Sequence, residues 1–246
     1  MTIGIIGGSG LSRLAGLELI ERKTITTPFG MPSAALSVGR LNGVEVVFLA
    51  RHGDEHTIAP HQINYRANIW AMKHLNAEVV VAVASVGGIR ADLGPGSLVV
   101  PDQIIDYTHG RASTFFEGHG QPVTHIDFTH PYDSSVRALL MKAGKRAGEM
   151  LVDGGTYGCA QGPRLETAAE IRRMERDGCD LVGMTCMPEA ALARELGIPY
   201  AMLSVVVNHA AGKGDSHQGI ELDAIHAMLD ASMQRVVKVL EAVLTE

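Results

Sequence analysis

Residues 78–88 read EVVVAVASVGG. Behind Glu78 comes an unbroken apolar run, without the alternation of a strand that shows one face to water. Such a strand is expected to be covered on both faces, the habit of a largely parallel sheet with helices on either side. Its end, Ser85-Val86-Gly87-Gly88, gives up bulk and lets a ligand lie against the backbone.

The pattern recurs along the chain. Strands are predicted over Thr2–Ile6, Val44–Ala50, Asp180–Thr185 and Pro199–Val207. Helical spacing predicts helices over Ile63–Leu75 and over Asp133–Gly148, the second opened by a capping aspartate. Thr167 and Glu170 have capping-box spacing, so a helix starts near Thr167. Another carries Pro188 in its first turn and stops at Gly197, with Pro199 beyond. Leu222, Ile225, Leu229, Met233, Val236 and Leu240 mark a long amphipathic C-terminal helix. No repeat or Pro/Ser-rich linker divides residues 1–246, so one α/β domain is expected. The loop from Asp106 to Tyr132 is long enough to be functional or to cover an interface.

Bulk properties narrow the function. The net charge of −6, with basic residues scattered, offers no field for a nucleic acid. No apolar run approaches the roughly 20 residues of a membrane span. The start, MTIGIIGGSG, lacks the features of a secretory signal. Cys159, Cys179 and Cys186 are odd in number and lack metal-type spacing, which suits reduced thiols and a cytoplasmic location.

The polar residues gather where strands end, the place where open α/β sheets bind ligands. Gly7-Gly8-Ser9-Gly10 can turn backbone N–H groups and the Ser9 hydroxyl towards an anion, or serve as a plain strand-to-helix turn. The spacing G-x-G-x-x-G is absent and no acidic residue closes a strand about 20 positions on, which argues against a dinucleotide. Arg51 follows an apolar strand directly, where its guanidinium can hold phosphate by two parallel hydrogen bonds or lie on the surface. His52, Asp54, Glu55, His56 and His61 lack H-E-x-x-H spacing, and Gly53 interrupts any helix, so no metal is expected. Ser85 and Thr185 add hydroxyls at two further strand ends, and Asn208 an amide at another. Hydroxyls, an arginine, a histidine and an amide, without a nucleophile–base pair, suit a site that binds a small oxyanion and lets it be the nucleophile.

The stretches GIIGGSG (4–10), TPFGMPS (27–33), LARHG (49–53), NYRANIWAMK (64–73), QGPRLETAAE (161–170) and GMTCMPEAALARELGIPYA (183–201) resemble the purine nucleoside phosphorylase and methylthioadenosine phosphorylase family, as does the strand ending at Asn208. The resemblance spans nearly the whole chain. It implies the nucleoside phosphorylase fold with a central mixed sheet, a homotrimer, a purine nucleoside and inorganic phosphate as substrates, and no cofactor. By that resemblance Ser9, Arg51, His52, Ser85 and Thr185 form the phosphate site, and Met184 lies against the ribose. Arg51, His52 and Asn208 are the catalytic candidates. Methylthioadenosine phosphorylases commonly carry a hydroxyl residue before Ser85, where this chain has Ala84.

The base-reading positions point to a 6-oxopurine. The adenine-specific branch follows GPR with an aromatic residue and a serine and uses aspartates at the later strand end; here the residues are Leu165, Glu166 and Thr167, then Asn208, His209 and Ala210. Asn208 can donate to O6 and bond N7, while Glu166 accepts from N1–H. Adenine reverses the polarity at position 6 and at N1, and each mispaired buried polar group costs about 1–3 kcal/mol. A first-turn charge favoured by the helix dipole is the competing role for Glu166. Leu165 and Ala210 are further substrate contacts. Leu222 and Ile225 resemble the apolar wall of the methylthio branch, and His125, from the loop that reaches a neighbouring subunit in the family, lines the same pocket. The combination resembles methylthioinosine phosphorylases. His217 and His226 lie near enough to serve a 5'-hydroxyl instead. The implied reaction converts 5'-methylthioinosine and phosphate to hypoxanthine and 5-methylthioribose 1-phosphate. 5'-Methylthioadenosine and inosine or guanosine are the alternative substrates, and a non-catalytic nucleoside-binding protein is the alternative of another class.

Overall fold

The apolar run at 78–88 becomes the longest shared seam of the sheet. In the computed structural model, which describes residues 1–118, 120 and 122–245, strand β1 spans Ile3–Gly7, β4 Val44–Ala50, β5 Val79–Gly88 and β11 Tyr200–His209. These four run parallel, with β1 between β4 and β5 and with β11 on β5. Their side chains alternate onto two covered faces. Val80, Ala82 and Ala84 of β5 pack on one side with helices α1 (Tyr65–His74) and α4 (Cys186–Glu195), and Val81 and Val83 pack on the other with α2 (Ser134–Ala147) and α5 (Leu222–Val243). Such two-sided burial explains the missing polar alternation.

Strands the apolar pattern did not announce complete a mixed sheet. The antiparallel ribbon β2 (Glu18–Lys23) and β3 (Leu36–Leu41) extends β4, and short strands β6 (Leu98–Val100) and β8 (Leu151–Asp153) extend β11. Beyond β5, β10 (Leu181–Gly183) pairs antiparallel to it, followed by β9 (Thr156–Cys159) and β7 (Gln103–Asp106). Helix α3 (Ala168–Arg176) begins at the expected capping box, closed by Thr167 and Glu170. Asp133 caps α2 and Gly148 ends it with φ of 69°. Between Asp106 and Tyr132 the described residues form no regular element. No helix among the described residues is long and apolar enough to cross a membrane.

Two irregularities interrupt the seam. β1 pairs with Val79–Ala82 of β5, whereas β10 pairs with Gly87 and Gly88, so the strand is released by one neighbour before the next takes it up. The gap falls at Val83–Val86. On the other edge, the register of β11 against β5 shifts between Val206 and Asn208. A bulge of this kind re-aims the residues after it.

Candidate active site

At that gap a cleft of about 160 Å³ opens, lined from five strand ends at once. Ser9 follows β1, Arg51 and His52 follow β4, Ser85 belongs to β5, Met184 and Thr185 follow β10, and Asn208 and Ala210 come from the end of β11. Leu165 and Glu166 enter from the segment before α3, and Ile225 from the first turns of α5. Two expected residues are not among them. Leu222 is 60 % exposed at the start of α5, and Ile220, just before that helix, lines the cleft in its stead. His125 is exposed on the long loop, outside the cleft of its own chain.

Arg51 does not lie on the surface, the alternative its sequence context left open. Its side chain is wholly buried, and the edge formed by Nε and Nη2 is occupied by Glu189: Nε donates to Oε2 at 2.7 Å and Nη2 to Oε1 at 2.8 Å. Nη1 donates to the Val83 carbonyl at 2.8 Å, an acceptor that lies where β1 leaves β5. Gly8 is needed beside it, since a Cβ there would sit 2.6 Å from the Val83 oxygen and 3.0 Å from Nη1. Burial opposes the arginine's charge, but the Glu189 carboxylate and its hydrogen bonds more than offset it and hold the guanidinium above its usual pKa. The Tyr200 hydroxyl, donating to Glu189 Oε1 at 2.7 Å, completes a buried trio. One N–H on each of Nη1 and Nη2 remains outside these bonds. Glu189 and Tyr200 were not apparent in the sequence, where Glu189 reads only as an acidic residue in the first turn after Pro188.

His52 is 8 % exposed, and its Nδ1 lies 2.8 Å from the Ile58 carbonyl. A carbonyl only accepts, so Nδ1 carries the proton. Burial, reinforced by the Arg51 charge, pushes the imidazole pKa down to about 4. The ring is therefore neutral near pH 7, and its Nε2 presents a lone pair. Ser9 Oγ lies 3.4 Å from His56 Nε2. Thr185 occupies the N-cap position of α4, yet its side chain makes no capping bond.

On the opposite side, Glu166 Oε1 is buried without a hydrogen-bond partner among the described residues. Burial raises the carboxyl pKa, with its own backbone N–H and Arg164 acting the other way. The helix-dipole role that competed for Glu166 belongs to Glu170, the acidic residue of the first turn of α3. Glu170 accepts from Thr167 N at 2.7 Å and pairs with Arg164 at 2.7 and 2.8 Å, which fixes the backbone on both sides of Glu166. Asn208 Nδ2 donates to the His209 carbonyl at 2.6 Å and keeps a second hydrogen.

A model described as the phosphorylase superfamily matches residues 2–245. The chain belongs to that superfamily. Among its members, a probable S-methyl-5'-thioinosine phosphorylase of Pseudomonas syringae is 51 % identical over the whole of this chain and 99 % of its own. One of the same description from Xanthomonas campestris is 52 % identical over 94 % of this chain and 92 % of its own. The 6-oxopurine nucleoside phosphorylase of Pyrococcus furiosus is 46 % identical over 85 % and 80 %. Among solved structures, the methylthioadenosine phosphorylase of Schistosoma mansoni in complex with adenine superposes with a TM-score of 0.94 at 32 % identity, covering 99 % of this chain and 91 % of that one. The expected nucleoside phosphorylase fold is thus present, with the mixed sheet flanked by helices.

Proposed function

We propose that this phosphorylase superfamily member splits 6-oxopurine nucleosides with inorganic phosphate, and that its preferred substrate is 5'-methylthioinosine, giving hypoxanthine and 5-methylthioribose 1-phosphate. The observation that carries the reading is the unpartnered buried carboxylate oxygen of Glu166 in the same cleft as the Asn208 amide. An acceptor facing N1–H and a donor facing O6 match a 6-oxopurine, whereas adenine would set acceptor against acceptor at N1. The activities ascribed to the Pseudomonas and Pyrococcus relatives point the same way.

Phosphate in this reading lies among Ser9, Ser85, Thr185, the free N–H groups of Arg51 and His52. With Nδ1 committed to Ile58, neutral His52 accepts from a phosphate O–H and does not donate. A phosphate oxygen forms the bond to C1' as the C1'–N9 bond breaks, its electron pair passing to the purine. The anion beside the cationic sugar lowers the barrier, and Asn208 stabilises the charge reaching N7. Placement of the partners supplies the rest, with phosphate as co-substrate and no further group required. Ile220 and Ile225 offer the 5' end an apolar surface that suits a thioether better than a hydroxyl. The proposed working unit is a homotrimer in which His125 of one copy borders the 5' pocket of the next.

The test is free-base release from 5'-methylthioinosine, 5'-methylthioadenosine and inosine, each with and without phosphate. Phosphate-dependent release that is fastest from 5'-methylthioinosine is expected. Equal or faster release from the adenosine compound would overturn the base assignment.

A further inference from the structure

Arg111 lies in the long loop before α2 and pairs with no carboxylate among the described residues. Its two terminal nitrogens are directed at backbone carbonyls. Nη1 lies 2.9 Å from Met184 O and 2.6 Å from Met187 O, and Nη2 lies 2.7 Å from Gln161 O and 3.4 Å from Ala160 O. The Tyr65 hydroxyl stands 3.2 Å from Nη1, and the group sits over the Tyr65 ring at 5.5 Å.

These carbonyls belong to two segments far apart in sequence. Ala160 and Gln161 lead through Gly162 and Pro163 to Glu166. Met184 and Met187 bracket Thr185, and Met187 has non-helical backbone angles (φ −114°, ψ 134°). The segments touch, for a Cβ on Gly162 would stand 2.5 Å from Met184 Sδ. One planar cation with several fixed donors can hold such acceptors at a set spacing, which a lysine cannot.

We infer that Arg111 is a positioning residue for nucleoside recognition: by holding the carbonyls of Gln161 and Met184, it sets the distance between the purine-reading Glu166 and the ribose-facing Met184. The inference rests on the proposed reading of the cleft. Two of the bonded carbonyls flank Thr185 on the phosphate side and two lead to Glu166 on the purine side, so Arg111 sets the spacing between the halves of the cleft, and the choice of base is what reports it. It also makes the long loop part of the site, although no described residue of that loop lines the cleft of its own chain.

The experiment is steady-state kinetics of Arg111→Lys and Arg111→Ala, with nucleoside and phosphate varied separately and with 5'-methylthioinosine and 5'-methylthioadenosine compared. Misplacing groups in a site by a fraction of an ångström costs on the order of tenfold or more, so the nucleoside KM of Arg111→Lys is expected to rise about tenfold. The preference for the oxopurine should shrink. Added guanidinium ion should restore part of the activity of Arg111→Ala. A fall in kcat alone, or a rise in KM that leaves the base preference intact, would overturn the inference. Should Arg111→Ala fail to fold, Arg111→Lys decides. Wild-type protein that turns over no purine nucleoside would bring down the reading of the cleft and this inference together. Active wild type with an unshifted Arg111→Lys removes the inference alone.

Discussion

Single side chains set the chemistry of the cleft, and two of them make direct predictions. Glu166→Gln replaces an acceptor facing N1–H by an amide that is indifferent to the base. The kcat/KM for 5'-methylthioinosine is expected to fall roughly 5- to 150-fold, the equivalent of about 1–3 kcal/mol, while the adenosine compound loses little. Equal losses for the two would show that Glu166 supports the fold and not the base. His52 makes a prediction about acid. Its folded pKa of about 4 lies below the ordinary histidine value of 6.5, so the unfolded chain binds more protons between those limits. Stability from this group is therefore complete above pH 6.5 and is lost as pH falls towards 4, by at most about 3 kcal/mol. Urea unfolding at pH 7 and pH 5 should show a smaller acid loss in His52→Asn, which keeps a donor for Ile58. The same acid sensitivity in variant and wild type would count against a neutral buried His52. Much at this scale was legible from the sequence: Ser9, Arg51, Thr185, Glu166 and Asn208 all stand at strand or helix ends that composition revealed. What Arg51 binds was not, because Glu189 lies 138 positions away and only packing brings the two together.

Among the elements, the buried strands and capped helices could be read because each has a local cause. An apolar run made β5, an aspartate cap made α2 and a capping box made α3. The ribbon of β2 and β3 escaped because β2 is exposed along most of its length, so no apolar period marks it. Short strands such as β6 and β9 depend on partners distant in sequence, as does the register shift of β11 that precedes Asn208. Two elements carry testable consequences. Glu189 on α4 compensates a guanidinium that follows β4, so Glu189→Ala leaves a buried charge unpaired and is expected to cost about 3–5 kcal/mol in urea unfolding. A loss below about 1 kcal/mol would mean that Arg51 finds solvent or another partner. Thr167→Ala removes the cap of α3 and should cost about 1 kcal/mol. Because that cap sits next to Glu166, the variant should also raise the nucleoside KM; unchanged kinetics would separate the cap from the site.

Across the whole molecule, net charge contributes nothing to attracting an anion, since the chain carries −6. Whatever holds phosphate must be local, and the sheet makes it so. By passing β5 from β1 to β10 across an interval, it leaves the Val83 carbonyl to Arg51 and opens a space into which hydroxyls, an imidazole and an amide project. The purine side forms across from it, fixed by Glu170 and Arg164 around Glu166. A crystal soaked with sulfate and hypoxanthine tests this arrangement most directly. Sulfate is expected within hydrogen-bond reach of Ser9, Thr185 and an Arg51 N–H, and hypoxanthine with N1–H on Glu166 and O6 on the Asn208 amide. Sulfate elsewhere, or a purine that leaves Glu166 Oε1 unpartnered, would contradict it.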